Sequence, residues 1–200
     1  MISYKFLKRI LDLLIGTIAL IITCIPMLVI ACMVFITMGK PVFFTQYRTG
    51  KNGVPFKLYK FRTMDVKQKS DKRSSGERLT AMGKILRNTS LDEFPQFINV
   101  LRGDMSIIGP RPLLSDYDEL YTKQERRRLE VRPGITGLAQ VSGRSKLSWK
   151  EKFALDVSYV DNYTFKLDFK ILIKTFLIIT DRSKTTPKNG SIQERYNGFN

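Results

Sequence analysis

From Leu13 to Met38 no side chain carries a charge, a run of 26 residues and longer than the roughly 20 that cross a bilayer as a helix. Lys5, Lys8 and Arg9 precede it; Lys40, Arg48, Lys51, Lys57 and Lys60 follow it. A secretory signal has a shorter apolar core and ends in small residues at a cleavage site. No Ala-x-Ala follows here, so the run is read as retained. Pro26 lies near its middle. It lacks an N–H and its ring crowds the carbonyl four residues back, which predicts a kink or break, with Thr23 placed to satisfy freed backbone groups. Basic residues at both ends favour a re-entrant hairpin with both ends in the cytoplasm. A spanning helix with a tolerated proline is the alternative, and the pattern alone leaves the two open.

After Gly39-Lys40-Pro41 the periodicity changes. Val42 to Gln46 reads as a short strand, and Phe56 to Met64 alternates apolar and polar over nine residues. The turn-rich stretch Thr49-Gly50-Lys51-Asn52-Gly53 between them predicts a hairpin. Residues 65–77 are polar and read as a loop. Leu79 to Leu101 has a helical pattern interrupted around Asn88–Pro95, Tyr117 to Leu129 reads as a polar helix, and Trp149 to Val160 as another. In Phe165 to Thr180, Lys166, Lys170 and Lys174 are four apart and share one face of a helix otherwise rich in Phe, Leu and Ile. A wide apolar arc with one basic stripe fits the headgroup layer of a membrane; a core helix with a solvated stripe is the other reading. From Ser183 the tail is polar and is expected to be weakly ordered.

Charge sharpens this picture. The chain has 34 Lys+Arg against 18 Asp+Glu, a net +16 in 200 residues. Such a surplus calls for anionic partners: nucleic acid, lipid headgroups or phosphorylated substrates. There is no histidine, which removes the usual general base, the usual zinc ligand and any Ser-His or Cys-His nucleophile. The two cysteines, Cys24 and Cys32, lie within the apolar run and do not form a disulfide framework. Any catalysis falls to carboxylates and cations.

Ser90-Leu91-Asp92-Glu93 is the candidate for it. As a capping box, Ser90 would cap a helix and Glu93 reach back to it. Pro95 argues against a helix that early; with Asp92 as the cap, Pro95 falls in the tolerated first turn. Either way both carboxylates would sit at a positive helix N-terminus, which attracts phosphate and lowers carboxylate pKa values. Capping alone explains such a tetrapeptide in most proteins. The cations around it change the weighting. Arg87 precedes the pair and Arg102 follows it. Arg111 is held between Pro110 and Pro112, a rigid setting suited to bidentate phosphate recognition. Arg132-Pro133-Gly134-Ile135-Thr136-Gly137 repeats the theme, with glycines that let backbone N–H groups approach a ligand, and Gly143-Arg144 adds another cation.

Taken in order, Lys8-Arg9-Ile10-Leu11-Asp12, Tyr59 to Met64, Ser90 to Glu93, Gly109 to Pro112, Arg132 to Val141 and Gly143-Arg144 resemble the monotopic phosphoglycosyl transferases. This bacterial sugar transferase family starts lipid-linked glycan assembly. The resemblance spans about residues 5 to 180 and is to the compact catalytic unit, as in the bacillosamine-phosphate transferases. Phe94 stands where Leu is commoner, and Ile25 where the family has a small polar residue before the kink proline matched by Pro26.

The resemblance implies an α+β, mainly helical fold. It has a re-entrant membrane helix-break-helix (1–40), a cytoplasmic catalytic domain with a small β-hairpin and interfacial helices (41–182), and a polar tail (183–200). It implies that Asp92 attacks the β-phosphorus of a UDP-sugar, releases UMP and passes the phospho-sugar to polyprenyl phosphate, that of undecaprenol above all. Glu93 would support the site and assist proton transfer from, or positioning of, the acceptor. Mg²⁺ would be held at Asp92, and Arg87, Arg111, Lys60, Arg62, Arg132 and Arg144 would bind phosphate. An ionised carboxylate needs no deprotonation at pH 7, so the absence of histidine is no obstacle. The expected setting is the bacterial inner membrane, monotopic, facing the cytoplasm. The expected partners are inner-membrane lipids and downstream glycosyltransferases of capsule or exopolysaccharide assembly, without nucleic acid. Two competing readings are a membrane-anchored basic module for acidic lipid or nucleic acid, and a glycosyltransferase that releases UDP.

Overall fold

In the computed structural model, which describes residues 4–66, 77–143, 146–180 and 196–198, the apolar run forms one helix, α1 (Tyr4–Met38). Among the described residues it is the one helix long and apolar enough to cross a membrane. The chain stays helical through Pro26, so the expected break does not appear as a loss of helical structure. Nor does Thr23 reach the freed group. Proline removes the partner of the Ile22 carbonyl, whereas the Thr23 hydroxyl donates to the Ala19 carbonyl at 2.7 Å, a back-bond that tends to bend helices.

Both arms of α1 dock on the body of the protein. In the N-terminal arm Arg9 donates to the carbonyls of Val100 (2.8 Å) and Leu101 (3.2 Å). Asp12, 4% exposed, accepts from the Ser106 hydroxyl and the Ile107 N–H, both at 2.9 Å. In the C-terminal arm Ile30 and Val34 are buried against Phe61 and Leu86. The middle carries exposed Ile18, Ile21, Ile22, Ile25, Leu28 and Val29. Asp12→Ala would strand the buried Ile107 N–H and remove a charged acceptor, costing about 2–4 kcal/mol. The expected outcome is a lower melting temperature, with Asp12→Asn milder because its amide oxygen still accepts from Ile107.

The hairpin is present as β1 (Phe43–Thr49) and β2 (Pro55–Phe61), antiparallel with Phe43 opposite Phe61. Asn52 (φ 57°) and Gly53 (φ 80°) make the turn, left-handed positions that these two residues tolerate best. The interrupted helix resolves into α2 (Ala81–Thr89), a single 3₁₀ turn at Leu91–Glu93, and α3 (Gln96–Arg102). A second sheet is parallel and only three residues deep: β3 (Ser106–Ile108) pairs with β4 (Gly134–Thr136). The Gly109 N–H donates to Thr136 and the Gly134 N–H to Pro110, each at 2.9 Å. A Cβ on Gly134 would lie 2.1 Å from the Gly109 nitrogen. A Cβ on Gly137 would likewise lie 2.1 Å from the Gly109 carbonyl oxygen, so Gly134 and Gly137 bring backbone to backbone, correcting the expectation that they open onto a ligand.

The polar helix expected from Tyr117 is shorter. Thr122 and Glu125 form a capping box that starts α4 (Lys123–Arg126), which tightens into a 3₁₀ turn over Arg127–Glu130. Then follow α5 (Leu138–Ser142), α6 (Trp149–Asn162), capped by Ser148 and Glu151, and α7 (Phe165–Thr180). In α7 only Asp168 and Ile171 are buried. Phe165, Phe169, Ile173, Phe176, Leu177 and Ile179 are exposed, so α7 is not a core helix; its apolar arc faces outward. Asp168 accepts from Tyr4 (2.6 Å), Lys8 (2.7 Å) and Tyr159 (2.7 Å), tying α7 and α6 to the start of α1.

The main core gathers Leu58, Val100, Met105, Ile107, Tyr159 and Ile171 between hairpin, α3, β3, α6 and α7. The loop expected at 65–77 and most of the tail lie outside the described residues. Tyr196 of that tail is an exception to the expected weak order: it is 5% exposed and packs on Tyr117, Tyr121 and Phe153.

Candidate active site

Asp92 and Glu93 sit in the 3₁₀ turn between α2 and α3. Ser90 enters that turn in the left-handed conformation (φ 58°) and its side chain caps nothing, so the capping box is not formed. Asp92 is not the cap of α3 either; Pro95 occupies that position. Two close approaches fix the turn. A Cβ on Gly83 would lie 1.8 Å from the Thr63 carbonyl, which seats α2 against the end of the hairpin. Asn99 is fully buried. It accepts from the Tyr59 N–H at 3.2 Å and donates to the Lys57 carbonyl at 2.8 Å. That clamps α3 to β2 and sets Lys60 beside the carboxylates.

The two acids have opposite environments. Glu93 receives Lys60 Nζ at 2.6 Å and Arg111 Nη2 at 3.5 Å. Burial alone would raise its pKa, but the two cations outweigh burial and hold it at about 2. Asp92 is 7% exposed; among the described residues its nearest cation is Lys60 at 3.9 Å, and it accepts no hydrogen bond there. Burial raises its pKa against the pull of Lys60, with the Glu93 charge adding to the rise. The expectation that a helix N-terminus lowers it is thus reversed, because Asp92 caps no helix. Adjacent acids pushed in opposite directions are a mark of divided chemical roles.

Of the expected phosphate-binding cations, Lys60 and Arg111 reach the pair. Arg87 donates from Nε to the Thr63 hydroxyl at 3.0 Å, and burial lowers its pKa while the Asp92 charge raises it. Arg62 is elsewhere. It is 5% exposed and donates to the carbonyls of Met38, Gly39 and Lys40, capping the open end of α1. Arg132 donates to the Gly103 carbonyl at 2.9 Å, just past the end of α3. Both serve backbone carbonyls at helix ends, as cations do, rather than the carboxylates. Arg144 lies outside the described residues. Pro26 is exposed within α1.

A cavity of about 710 Å³ opens beside Glu93, bordered also by Arg111, Phe97, Gln140, Trp149 and Lys152; Asp92 lies one residue back from its wall. Arg128 and Asp156 also border it and were not singled out from sequence. Arg128, 3% exposed, donates to Asp156 Oδ2 from Nε (3.0 Å) and Nη2 (2.8 Å), to the Tyr121 hydroxyl (3.2 Å) and to the Arg111 carbonyl (2.7 Å). It therefore fixes the backbone of the arginine that meets Glu93. The available signal was spacing: Trp149, Lys152, Phe153 and Asp156 share one face of α6.

Among the described residues no three His, Cys, Asp or Glu side chains converge as a metal cage. Asp92, with no hydrogen bond among the described residues and beside an ionised Glu93 whose charge Lys60 and Arg111 balance, does fit the other mode, in which Mg²⁺ takes one or two carboxylates plus waters and substrate phosphate.

Residues 3–182 match the family described as Bacterial sugar transferase. The chain is 46% identical to an uncharacterized sugar transferase of Bacillus subtilis, EpsL, over 96% of each. It is 41% identical to a UDP-glucose:undecaprenyl-phosphate glucose-1-phosphate transferase of Klebsiella pneumoniae, over 84% of this chain and 39% of that one. It is 36% identical to an undecaprenyl-phosphate galactose phosphotransferase of Salmonella typhimurium, over 90% of this chain and 42% of that one. A match over nearly the whole described chain, on a fold that joins a long apolar helix to a buried carboxylate pair, shows that this protein belongs to the bacterial sugar transferase family.

Proposed function

We propose that the enzyme transfers a sugar 1-phosphate from a UDP-sugar to undecaprenyl phosphate through a covalent intermediate on Asp92. The observation that carries this is the divided carboxylate pair: Glu93 takes up Lys60 and Arg111, which leaves Asp92 buried, with Lys60 3.9 Å away and no hydrogen bond among the described residues. The names of the Salmonella and Klebsiella relatives support the acceptor and the transferred group.

In the first step an Asp92 oxygen bonds to the β-phosphorus. The bond from that phosphorus to the bridging oxygen breaks, and UMP leaves with the oxygen. In the second step a phosphate oxygen of the acceptor bonds to the same phosphorus and the aspartyl oxygen–phosphorus bond breaks, restoring the carboxylate. Neither step needs a proton from Glu93, whose low pKa keeps it ionised; its part is to hold Lys60 and Arg111 where phosphate charge develops. Asp92 would hold Mg²⁺, which supplies charge neutralisation at the diphosphate. Arg87 completes the cationic side of the site.

The same reading places the enzyme at the cytoplasmic face of the inner membrane with α1 re-entrant. Its support is that both arms of α1 dock on one body, through Asp12 and through Arg62, while the apolar middle is uncovered. The outward apolar arc of α7 and the excess of cations add attraction to an anionic leaflet, about 1 kcal/mol per well-placed Lys or Arg.

The test is nucleotide identity. With Mg²⁺, undecaprenyl phosphate and a panel of UDP-sugars led by UDP-glucose and UDP-galactose, acceptor-dependent UMP is expected; UDP would mean plain glycosyl transfer. A pH profile adds a second check. Only ionised Asp92 attacks, so the acid limb of kcat/KM for the donor follows its pKa, which burial raises and bound Mg²⁺ would lower. Lys60 lowers that pKa, so Lys60→Met is expected to move the limb to higher pH as well as to slow the reaction. A limb that stays put would show that it reports another group.

A further inference from the structure

We infer that the apolar arm of the catalytic cavity, between α1 and α7, is the track for the polyprenyl chain of the acceptor. The inference rests on the reaction proposed above and adds where the second substrate lies. The cavity has two kinds of wall. Glu93, Arg111 and Lys152 border it with charge; Ile15 and Ala19 of α1 and Leu172 and Ile179 of α7 border it with hydrocarbon. Ile15 and Ala19 are one turn apart and Leu172 and Ile179 two turns apart, so each pair is a stripe on one helix face.

These apolar lining residues also reach the outside. Ile15 is 36%, Leu172 37% and Ile179 45% exposed, so the cavity opens between the two helices there. Around the opening, Leu14, Ile18 and Phe176 are exposed too. A hydrocarbon chain in a bilayer would follow this wall of Ile15, Ala19, Leu172 and Ile179, broken on α7 only by the Thr175 hydroxyl, toward the Glu93 end of the cavity.

Charge complementarity selects the occupant. Arg111 shares Glu93 with Lys60, and Lys152 sits 4.9 Å over the Trp149 ring with no salt bridge among the described residues. A phosphate monoester at these cations, with an isoprenoid tail lying on Ala19 and Ile179, satisfies both walls. A UDP-sugar does not: uracil, ribose, diphosphate and sugar hydroxyls gain nothing from an Ile, Leu and Ala wall. Because the two half-reactions are separate in time, donor and acceptor can share the charged wall while only the acceptor uses the apolar one.

The test compares Ala19→Trp and Ile179→Trp with Leu28→Trp, an exposed position of α1 that does not border the cavity. Two readouts are taken on full-length protein in detergent with the UDP-sugar the parent uses. One is the burst of UMP without acceptor; the other is the KM for undecaprenyl phosphate and for farnesyl phosphate. The indoles in the track are expected to raise the KM for undecaprenyl phosphate about tenfold or more, as displacing two buried CH₂ groups would. The burst amplitude should stay at that of the parent, and Leu28→Trp should match the parent in both readouts. Unchanged KM values in both track variants, or a burst that falls in step with acceptor turnover, would overturn the inference. A parent enzyme that releases no UMP from any donor would instead overturn the reaction on which it rests.

Discussion

Asp92→Asn is expected to abolish UMP release, by at least about 10⁴-fold as for other nucleophile removals, while leaving the protein as stable as the parent or more so. The first half follows from chemistry: an amide does not attack phosphorus here, and Glu93 cannot substitute because it is bound by Lys60 at 2.6 Å. The second half follows from the pKa. The folded state raises the Asp92 pKa, chiefly through burial. An acid whose folded pKa is raised loses stability as pH climbs from its unfolded value through its folded one. At pH 7 the parent carries that penalty and a neutral asparagine does not. Glu93→Gln should behave oppositely, since the Glu93 pKa is depressed to about 2. Its stabilisation is present above the unfolded value of 4.5 and fades as pH falls toward 2. A paired measurement of melting temperature and UMP release checks both. Turnover retained in Asp92→Asn would remove Asp92 from the mechanism.

Asp156→Ala is expected to destabilise most. Asp156 is 3% exposed, and two nitrogens of the equally buried Arg128 donate to it. Removing it leaves a guanidinium out of water between the Tyr121 and Phe153 rings, 5.6 and 5.4 Å away. Breaking a buried pair from one side costs about 3–5 kcal/mol, which for a chain of this size lowers Tm by about 10 °C. Pairing Asp156→Leu with Arg128→Met should recover much of the Tm, since apolar replacement of a whole buried pair is often neutral. It should lower donor kcat/KM below that of the parent, because the Arg111 carbonyl then lacks its 2.7 Å donor. A double variant with parent-like Tm and parent-like donor kcat/KM would reduce the pair to a structural role.

Much of this was legible in the chain because the signals were long or periodic. The apolar run, the alternation in β2, the split of α2 from α3, and the faces of α6 and α7 all follow from spacing. The β3–β4 sheet was not legible, since three-residue strands have no period and their pairing depends on backbone approach at Gly109 and Gly134. Cations were legible as a group but not individually. Lys60 and Arg62 are two apart and look equivalent, yet β2 ends at Phe61. Beyond it Arg62 turns to the end of α1 while Lys60 stays with Glu93. Arg132 likewise resembles Arg111 in its Arg-Pro setting and meets only the Gly103 carbonyl. The Asp92-Glu93 pair stands out by its neighbouring cations and the family resemblance selects Asp92 within it, but the direction of its pKa required knowing that no helix starts there.

The most direct measurement is the intact mass of the enzyme after mixing with Mg²⁺ and its UDP-sugar, without acceptor, alongside quantified nucleotide. The account predicts one equivalent of UMP and a mass increase of one sugar phosphate mapping to Asp92, both lost in Asp92→Asn and the adduct discharged by undecaprenyl phosphate. UMP that appears only when acceptor is present, with no adduct under any condition, would contradict a covalent intermediate and make the transfer a direct displacement.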